Sequence, residues 1–283
     1  MDQKIINLYD SYTHSQLSRK EFMKKLAILT GSTALALSVL PMLENNYVSA
    51  AGFHSEDISV ENISYTGADG EVKAVLAKPK NKKNLGGVVV IHENRGLNPH
   101  IIDVTKRMAA EGFLALGVDA LSPFGGTPAD EDKGRELIGK LDPDKNLQNY
   151  LKGLEYLRKH KDGNGKTACV GFCWGGGMAN KLAVNDPNLQ AAVAYYGAQP
   201  KAEDVPKIKA SIMLHYGGLD ERINAGIPAY EQALKANHID YKLYIYDGVN
   251  HAFNNDTSPT RYNEAAAKLA WQRTVELFRA KIG

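Results

Sequence analysis

Short apolar runs and amphipathic stretches alternate along most of the chain. Residues 58–65 and 72–79 are β-prone runs that flank Ala68-Asp69-Gly70, and an Asp-Gly turn in this setting predicts an antiparallel hairpin. Residues 87–92 form a continuous apolar run, which is typical of a strand buried on both faces. The sequence therefore predicts a β-hairpin followed by a strand in the core of the sheet.

The alternation of strands and helices continues to the end of the chain. Asn98-Pro99 offers an N-cap and a first-turn proline for a helix that we expect to reach Glu111. Further short apolar strands are predicted at 113–119, 168–172, 191–196, 210–216 and 241–246, a surface loop or lid at 120–131, and a long closing helix at 262–282. Buried strands that alternate with helices need helices on both faces of the sheet. The predicted fold class is α/β, with a mostly parallel, doubly wound sheet and an antiparallel N-terminal hairpin.

The first 51 residues differ from the rest. A polar segment with a basic bias near its end precedes Leu26–Leu43, which carries no charge, and Val48-Ser49-Ala50 follows as a small-residue cleavage pattern. These are the three parts of a secretory signal. Residues 18–24 resemble a bacterial twin-arginine export signal, although Lys20 stands where the second arginine is expected. We assign residues 1–51 as an export signal and 52–283 as one α/β domain, and expect a periplasmic or otherwise extracytoplasmic protein. The alternative is an uncleaved leader that tethers the protein to the membrane.

Composition narrows the classes of function. The 283 residues include 34 Lys+Arg and 32 Asp+Glu, so the net charge is +2, and 43% of the residues are hydrophobic. These values exclude a disordered or fibrous chain, and the interspersed charges argue against a nucleic-acid groove or a polybasic membrane surface. Cys169 and Cys173 are too few for a disulfide framework or a four-ligand zinc site. His92-Glu93 has Gly96 where a zinc-binding helix needs its second histidine, so no metal site is predicted.

A candidate nucleophile follows one of the buried strands. Gly171-Phe172-Cys173-Trp174-Gly175 is the Gly-x-Ser-x-Gly pattern with sulfur in place of oxygen, followed by a helix start. The glycines permit the sharp strand-to-helix turn, and the helix N-terminus favours a thiolate. A phosphate-binding loop is excluded, because the glycine spacing differs and the lysine of that motif is missing. A disulfide between Cys169 and Cys173 is excluded as well, because four residues of strand span about 13 Å, whereas the Cα atoms of a disulfide lie within about 7 Å. Cys169 is therefore predicted to be a core residue, and the remaining alternative for Cys173 is inert packing.

The sequence also supplies an acid and a histidine in the order that an α/β-hydrolase sheet requires. Asp220 and His251 each come shortly after a later strand, so Cys173, Asp220 and His251 occur as nucleophile, acid and base. Asp247 is the rival acid, although Asp-Gly after a strand is usually turn chemistry. The other helix-associated or leader histidines, His14, His100, His160 and His238, are predicted to be surface groups.

These motifs, together with Ile91-His92-Glu93-Asn94-Arg95-Gly96-Leu97, resemble the dienelactone hydrolase (carboxymethylenebutenolidase) family of the α/β-hydrolase superfamily. The resemblance covers the whole of the predicted domain. It implies a Cys173, His251 and Asp220 triad, with Glu93 in contact with the resting thiol. It further implies an oxyanion hole formed by the backbone N–H groups of Asn94 and Trp174, and no cofactor. The alternative for Glu93 is a salt bridge with Arg95.

The chain differs from the family at the positions that bind the substrate carboxylate. Dienelactone hydrolases clamp the substrate carboxylate with two arginines, and the corresponding places here are Ala120–Phe124 and Asn255. Without that clamp a dienelactone is a doubtful natural substrate. We predict Arg95, Phe124 and Phe253 as substrate-binding side chains, with Arg222 and Arg261 as other candidates for the missing charge.

The predicted function is hydrolysis of a small-molecule ester or lactone through an acyl-enzyme on Cys173. Within enzymes the alternatives are a thioesterase or a short-chain carboxylesterase. A different class of function is an exported, non-catalytic ligand-binding protein that retains the hydrolase fold. No nucleic acid and no stable membrane partner beyond the export machinery are expected, and the oligomeric state is left open.

Overall fold

A computed structural model describes residues 1–14, 17–47 and 56–283. The strands are β1 (Ile58–Thr66), β2 (Glu71–Pro79), β3 (Leu85–Ile91), β4 (Leu114–Val118), β5 (Gly163–Phe172), β6 (Ala191–Tyr195), β7 (Ser211–Gly217) and β8 (Tyr241–Tyr246). The helices are α1 (Gln3–His14), α2 (Arg19–Thr30), α3 (Thr33–Leu43), α4 (Pro99–Ala110), α5 (Glu131–Ile138), α6 (Pro143–Lys159), α7 (Trp174–Asn185), α8 (Glu221–Asn224), α9 (Ile227–Ala236) and α10 (Glu264–Ile282).

All eight strands form one sheet in the order β1-β2-β4-β3-β5-β6-β7-β8. The β1–β2 and β2–β4 pairs are antiparallel, and the strands from β4 to β8 in this order pair in parallel. The predicted α/β sheet with its antiparallel hairpin is confirmed. Helices cover both faces: α4 and α10 pack over one apolar cluster, and α6, α7 and α9 pack over the other. Every residue of β3, β4, β6 and β7 is buried, as a sheet covered on both sides requires.

Local sequence signals set most element boundaries. Asn98 caps α4 by accepting a hydrogen bond from the Ile101 N–H at 3.1 Å. The closing helix starts at Glu264, two residues later than predicted, because the Asn263 side chain accepts the Ala266 N–H and caps it there. The predicted loop at 120–131 contains a short 3₁₀ turn, Ser122–Phe124. The Asp119 carboxylate fastens this loop by accepting the N–H and hydroxyl of Thr127, each at 2.8 Å.

The described part of the predicted export segment is folded. Helices α1, α2 and α3 enclose an apolar cluster of their own, formed by Ile5, Tyr9, Tyr12, Phe22, Leu26, Ala36, Leu40 and Leu43. Ser18 and Glu21 form a capping box at the start of α2, and Gly31, with φ of 88°, ends it. The cleavage pattern at Val48–Ala50 and the proposed domain boundary lie outside the described residues. Export therefore stays a prediction.

The uncharged stretch of this segment is divided between two helices. Among the described residues no single helix has both the length and the apolar character needed to cross a membrane. Helices α2 and α3 reach those criteria only together, and they are bent by 110° at the break between them.

Candidate active site

Cys173 lies on a strained turn between β5 and α7. Its backbone has φ of 56° and ψ of −115°, a region that non-glycine residues rarely occupy, and its N–H donates to the Tyr195 carbonyl at 3.0 Å. The flanking glycines are required by space. A Cβ on Gly171 would collide with the Gly175 carbonyl, and one on Gly175 would collide with the backbone carbonyls at the end of β3. The thiol is thereby held at the carboxyl edge of the sheet, 7% exposed.

Asp220 and His251 form a buried pair beside this turn. His251 Nδ1 lies 2.6 Å from Asp220 Oδ2, and the two residues are each 4% exposed. The rival acid, Asp247, is exposed. With Nδ1 engaged, His251 Nε2 is buried and has no hydrogen-bond partner among the described residues. The sequence order of nucleophile, acid and histidine therefore corresponds to three residues gathered at one sheet edge.

Glu93 follows β3 and is 3% exposed. Its Oε2 accepts a hydrogen bond from Asn255 Nδ2 at 2.9 Å, so the described contacts of Glu93 do not include the predicted one with the thiol. The alternative salt bridge is not formed either, because Arg95 pairs with Glu131 at 3.0 Å. Asn255, singled out in the sequence only for the arginine it replaces, is fully buried and holds Glu93 in place.

The partner of the thiol is a histidine that the sequence analysis placed on the surface. His14 Nε2 lies 2.9 Å from Cys173 Sγ, and the His14 side chain is only 11% exposed. The prediction of a surface group is wrong for His14. It is also wrong for His100, which is 1% exposed and 3.1 Å from the Asp256 carboxylate. The signal that could have identified His14 is its i,i+4 pairing with Asp10, which assignment of the segment to export removed from consideration.

A cavity of about 670 Å³ opens beside Cys173, within the range of small-molecule sites. Its lining includes Thr13, His14, Leu17, Asn94, Cys173, Trp174, Tyr196, Arg222 and His251. Both predicted oxyanion residues, Asn94 and Trp174, are therefore at the cavity. The three predicted substrate-binding side chains do not line it: Phe124 is 42% exposed, Phe253 packs against Tyr196, and Arg95 is bound to Glu131.

His14, Cys173 and His251 also bring three possible metal-ligating atoms within 4.8 Å of one another. Two imidazoles and a thiolate are ligands that suit Zn²⁺. A zinc ion shared in tetrahedral geometry would hold sulfur and nitrogen about 3.5 Å apart, given its usual bond lengths. The observed 2.9 Å between Sγ and the His14 Nε2 fits a hydrogen bond better.

Known proteins match this chain over most of its length. The family model described as "Dienelactone hydrolase family" matches residues 72–282, and a second model, described as YqhI-like, matches residues 1–32. A protein of Saccharolobus solfataricus that is named as a carboxymethylenebutenolidase is 30% identical over 257 residues, which span 77% of this chain and 98% of that protein. One of Yersinia pestis is 33% identical over 224 residues, which span 74% and 83%.

A solved structure supports the same assignment. The dienelactone hydrolase of Klebsiella pneumoniae superposes with a TM-score of 0.72 at 28% identity, covering 78% of this chain and 98% of that one. The family resemblance seen in the motifs is thus confirmed over most of the chain. On its sequence, its sheet topology and these relatives, the chain belongs to the dienelactone hydrolase family and is a hydrolase with the α/β-hydrolase fold.

Proposed function

We propose that the protein hydrolyses carboxylic esters or lactones through a covalent acyl-enzyme on Cys173. The observation that carries the proposal is the 2.6 Å contact between His251 Nδ1 and Asp220 Oδ2, because His251 lines the same cavity as the strained Cys173. A carboxylate at Nδ1 fixes the tautomer that leaves Nε2 able to accept a proton. The names of the relatives in this family point to the same class of substrate.

The mechanism starts with removal of the thiol proton, which the His251–Asp220 pair can accept. The thiolate attacks the substrate carbonyl, the alcohol leaves with a proton from the histidine, and a thioester remains on Cys173. Water then loses a proton to His251 and hydrolyses the thioester. Apart from the substrate and this water molecule, each step uses side chains of the protein itself.

The tetrahedral intermediates carry an oxyanion that backbone donors would stabilise. Trp174 is the first residue of α7, where the helix leaves its N–H groups without intrahelical acceptors. Asn94 lines the same cavity. By analogy with other oxyanion holes, each well-placed donor lowers the barrier by about 3 to 4 kcal/mol.

The charges around the cavity favour a neutral substrate. Asn255 stands where the family places a clamping arginine, and its amide is already bonded to Glu93. Two arginines do line the cavity, but Arg135 donates to the Tyr12 carbonyl and Arg222 lies 3.4 Å from the Asp10 carboxylate. A substrate carboxylate would have to displace these partners, so we propose uncharged short-chain esters, thioesters or lactones before a dienelactone.

The test is hydrolysis of p-nitrophenyl esters of increasing acyl length by the full chain, with intact-mass detection of the acylated protein. We expect a transient adduct on Cys173, and loss of turnover in Cys173→Ala. Cys169→Ala is the matched control, because that thiol is fully buried in the core. Equal turnover in Cys173→Ala and the unmodified chain would refute the cysteine mechanism. Absence of turnover for every ester, thioester and lactone tried would instead favour a ligand-binding protein.

A further inference from the structure

Helix α1 ends at the candidate active site. Its last residue, His14, contacts Cys173 Sγ through Nε2, and the preceding carbonyl of Thr13 accepts a hydrogen bond from Asn94 Nδ2 at 2.6 Å. Asn94 is one of the predicted oxyanion residues. The C-terminal end of α1 is therefore joined both to the nucleophile and to the loop after β3.

Four arginines of the α/β domain hold α1 in this position. They are Arg95, which donates to the Tyr9 hydroxyl at 3.2 Å, Arg135, over the Tyr12 ring at 4.1 Å, Arg222, beside Asp10, and Arg261, over the Tyr9 ring at 5.2 Å. The Tyr12 hydroxyl donates in turn to the Asp132 carboxylate at 2.8 Å. Tyr9 and Tyr12 are 2% and 3% exposed. The side of α1 that faces the α/β domain is therefore shielded from solvent, although it makes polar contacts. These contacts fix α1 against the α/β domain.

The His14 ring is oriented in the same way as that of His251. Its Nδ1 lies 3.1 Å from the Asp10 carboxylate and 2.8 Å from the Asp10 carbonyl, which leaves Nε2 to face the thiol. Two Asp–His pairs thus converge on one cysteine. The titratable groups that influence the pKa of His14 are Cys173, Asp10 and His251. Burial lowers the pKa of His14, but the Cys173 thiolate and the Asp10 carboxylate raise it, and the balance lies above the ordinary value.

We propose that His14 is a second catalytic base, supplied to the hydrolase site by the N-terminal helix and held by Asp10. The inference rests on the proposed function and changes one part of it: the proton transfers of acylation pass from His251 to His14, and those of deacylation stay with His251. Helix α1 lines the cavity rather than filling it, because its last two residues, Thr13 and His14, form walls of a space of about 670 Å³ that remains beside the thiol. Space for a substrate therefore remains beside the thiol while His14 is in contact with it.

The two histidines would divide the proton transfers. His14 Nε2 takes the proton from Sγ, the sulfur forms a bond to the carbonyl carbon, and the C–O bond of the ester breaks as the leaving oxygen takes the proton from His14. In the second half a water molecule loses its proton to His251, and its oxygen bonds to the thioester carbon. The C–S bond then breaks, and the sulfur recovers the proton from His251. The sum is one ester and one water consumed, and one acid and one alcohol released.

The test compares the full chain with His14→Ala and Asp10→Asn in two measurements. The first is the pH dependence of Cys173 alkylation by iodoacetamide, followed by peptide mass, with the buried Cys169 as internal reference. Loss of the imidazolium partner should move the midpoint of the alkylation profile upward by about one pH unit or more in His14→Ala, and by less in Asp10→Asn. His238→Asn, at an exposed histidine, is the matched control and should leave the profile unchanged.

The second measurement is pre-steady-state hydrolysis of a p-nitrophenyl ester. We expect the acylation burst to slow by about a hundredfold in His14→Ala, with deacylation nearly unchanged. Circular dichroism and thermal unfolding establish that each variant is folded. An unchanged alkylation profile with wild-type burst kinetics in His14→Ala would overturn the proposal, and faster hydrolysis would overturn it in favour of α1 as an inhibitory cap.

Failure of this inference can be separated from failure of the proposed function. If Cys173→Ala loses turnover while His14→Ala keeps the wild-type acylation burst and alkylation profile, the cysteine mechanism stands and the role of His14 is refuted. If Cys173→Ala keeps turnover, the cysteine mechanism itself is refuted, and so is a base that acts on that cysteine.

Discussion

The His14 and His251 rings meet edge to face, with their centroids 4.6 Å apart and their planes inclined by 74°. One histidine comes from the first helix of the chain and the other from the loop before the last helix. Both direct a ring nitrogen toward the neighbourhood of one thiol.

Asp220 is the first position to test. Asp220→Asn keeps the shape of the side chain but removes the charge that orients His251, so we expect kcat to fall by about a hundredfold to ten-thousandfold. Asp247→Asn, at the exposed rival acid, should retain nearly full activity. Ester hydrolysis by the two purified variants distinguishes them, and an inactive Asp247→Asn beside an active Asp220→Asn would reverse the assignment of the acid.

Two glycines close to Cys173 allow the effect of steric crowding on stability to be separated from the effect of helix propensity. Gly175→Ala would push a Cβ into the carbonyls at the end of β3, and we expect about 1 to 3 kcal/mol of lost stability. Gly177→Ala, on the same helix, meets its nearest atom at an ordinary 3.6 Å and should be neutral or stabilising by up to about 1 kcal/mol. Urea unfolding of both variants provides the comparison, and equal stabilities would contradict the crowding argument.

The buried His215 should make the stability of the folded protein depend on pH. Burial, together with the nearby Arg273 charge, lowers its pKa from 6.5 to about 3. Between these values the unfolded chain binds more protons than the folded one, so stability falls as the pH drops below 6.5. At pH 5 this one group should cost about 2 kcal/mol relative to neutral pH.

The measurement is urea unfolding of the native chain and of His215→Gln at pH 7.5 and pH 5. All other titrating groups are common to the two proteins, so the difference between their pH slopes isolates His215. We expect the native chain to lose more stability than the variant on acidification. Parallel slopes would mean that His215 is not the buried neutral ring described, with Tyr246 at 3.0 Å from Nδ1 and Thr274 at 3.3 Å from Nε2.

Phe22 tests whether the N-terminal helices dock as a unit. Its ring is fully buried and stacks on Tyr12 at 4.4 Å between centroids, which links α2 to the helix that carries His14. Phe22→Ala should cost about 3 to 5 kcal/mol within this cluster and make α1 accessible to limited proteolysis. Ile28→Ala, at a residue of α2 that is 80% exposed, is the control. Identical digestion of the two variants would show that the cluster does not hold α1.

The N-terminus of the active protein is a further test. Cleavage after Ala50 would remove α1 and His14 from the site, so we expect the active protein to retain residues 1–43, which corresponds to the uncleaved-leader alternative. Intact mass of protein purified from a bacterial membrane and from its soluble fractions, with hydrolysis measured on each, would decide this. Full activity confined to a protein that begins near residue 52 would contradict both the retained leader and the role of His14.

Local and periodic signals were sufficient for the body of the fold. The Asp-Gly turn set the hairpin, continuous apolar runs marked strands that are buried on both faces, and the Asn98 cap marked the start of α4. Gly171, Gly175 and the order of Cys173, Asp220 and His251 could be interpreted because each residue follows a strand. Strand ends of a parallel sheet lie at one edge, so sequence order translates into proximity.

Contacts between segments far apart in the chain could not be predicted from such local signals. His14 and Cys173 are separated by 159 positions, and nothing in the local pattern of either segment refers to the other. The Asp10–His14 pair was visible as an i,i+4 spacing, but the basic and apolar stretches that follow it pointed to export. Asn255 was noted only as a departure from the family, whereas the structure makes it the partner of Glu93.

The sequence by itself therefore determined the α/β class, the nucleophile turn and the candidate acid and histidine, because these depend on backbone conformation and on strand order. Only the tertiary structure decided which histidine contacts the thiol, what Glu93 binds, and that α1 forms a wall of the cavity. Those features arise from side chains that meet after the chain has folded. Their free energy comes from burial and pairing between distant segments, which no local pattern encodes.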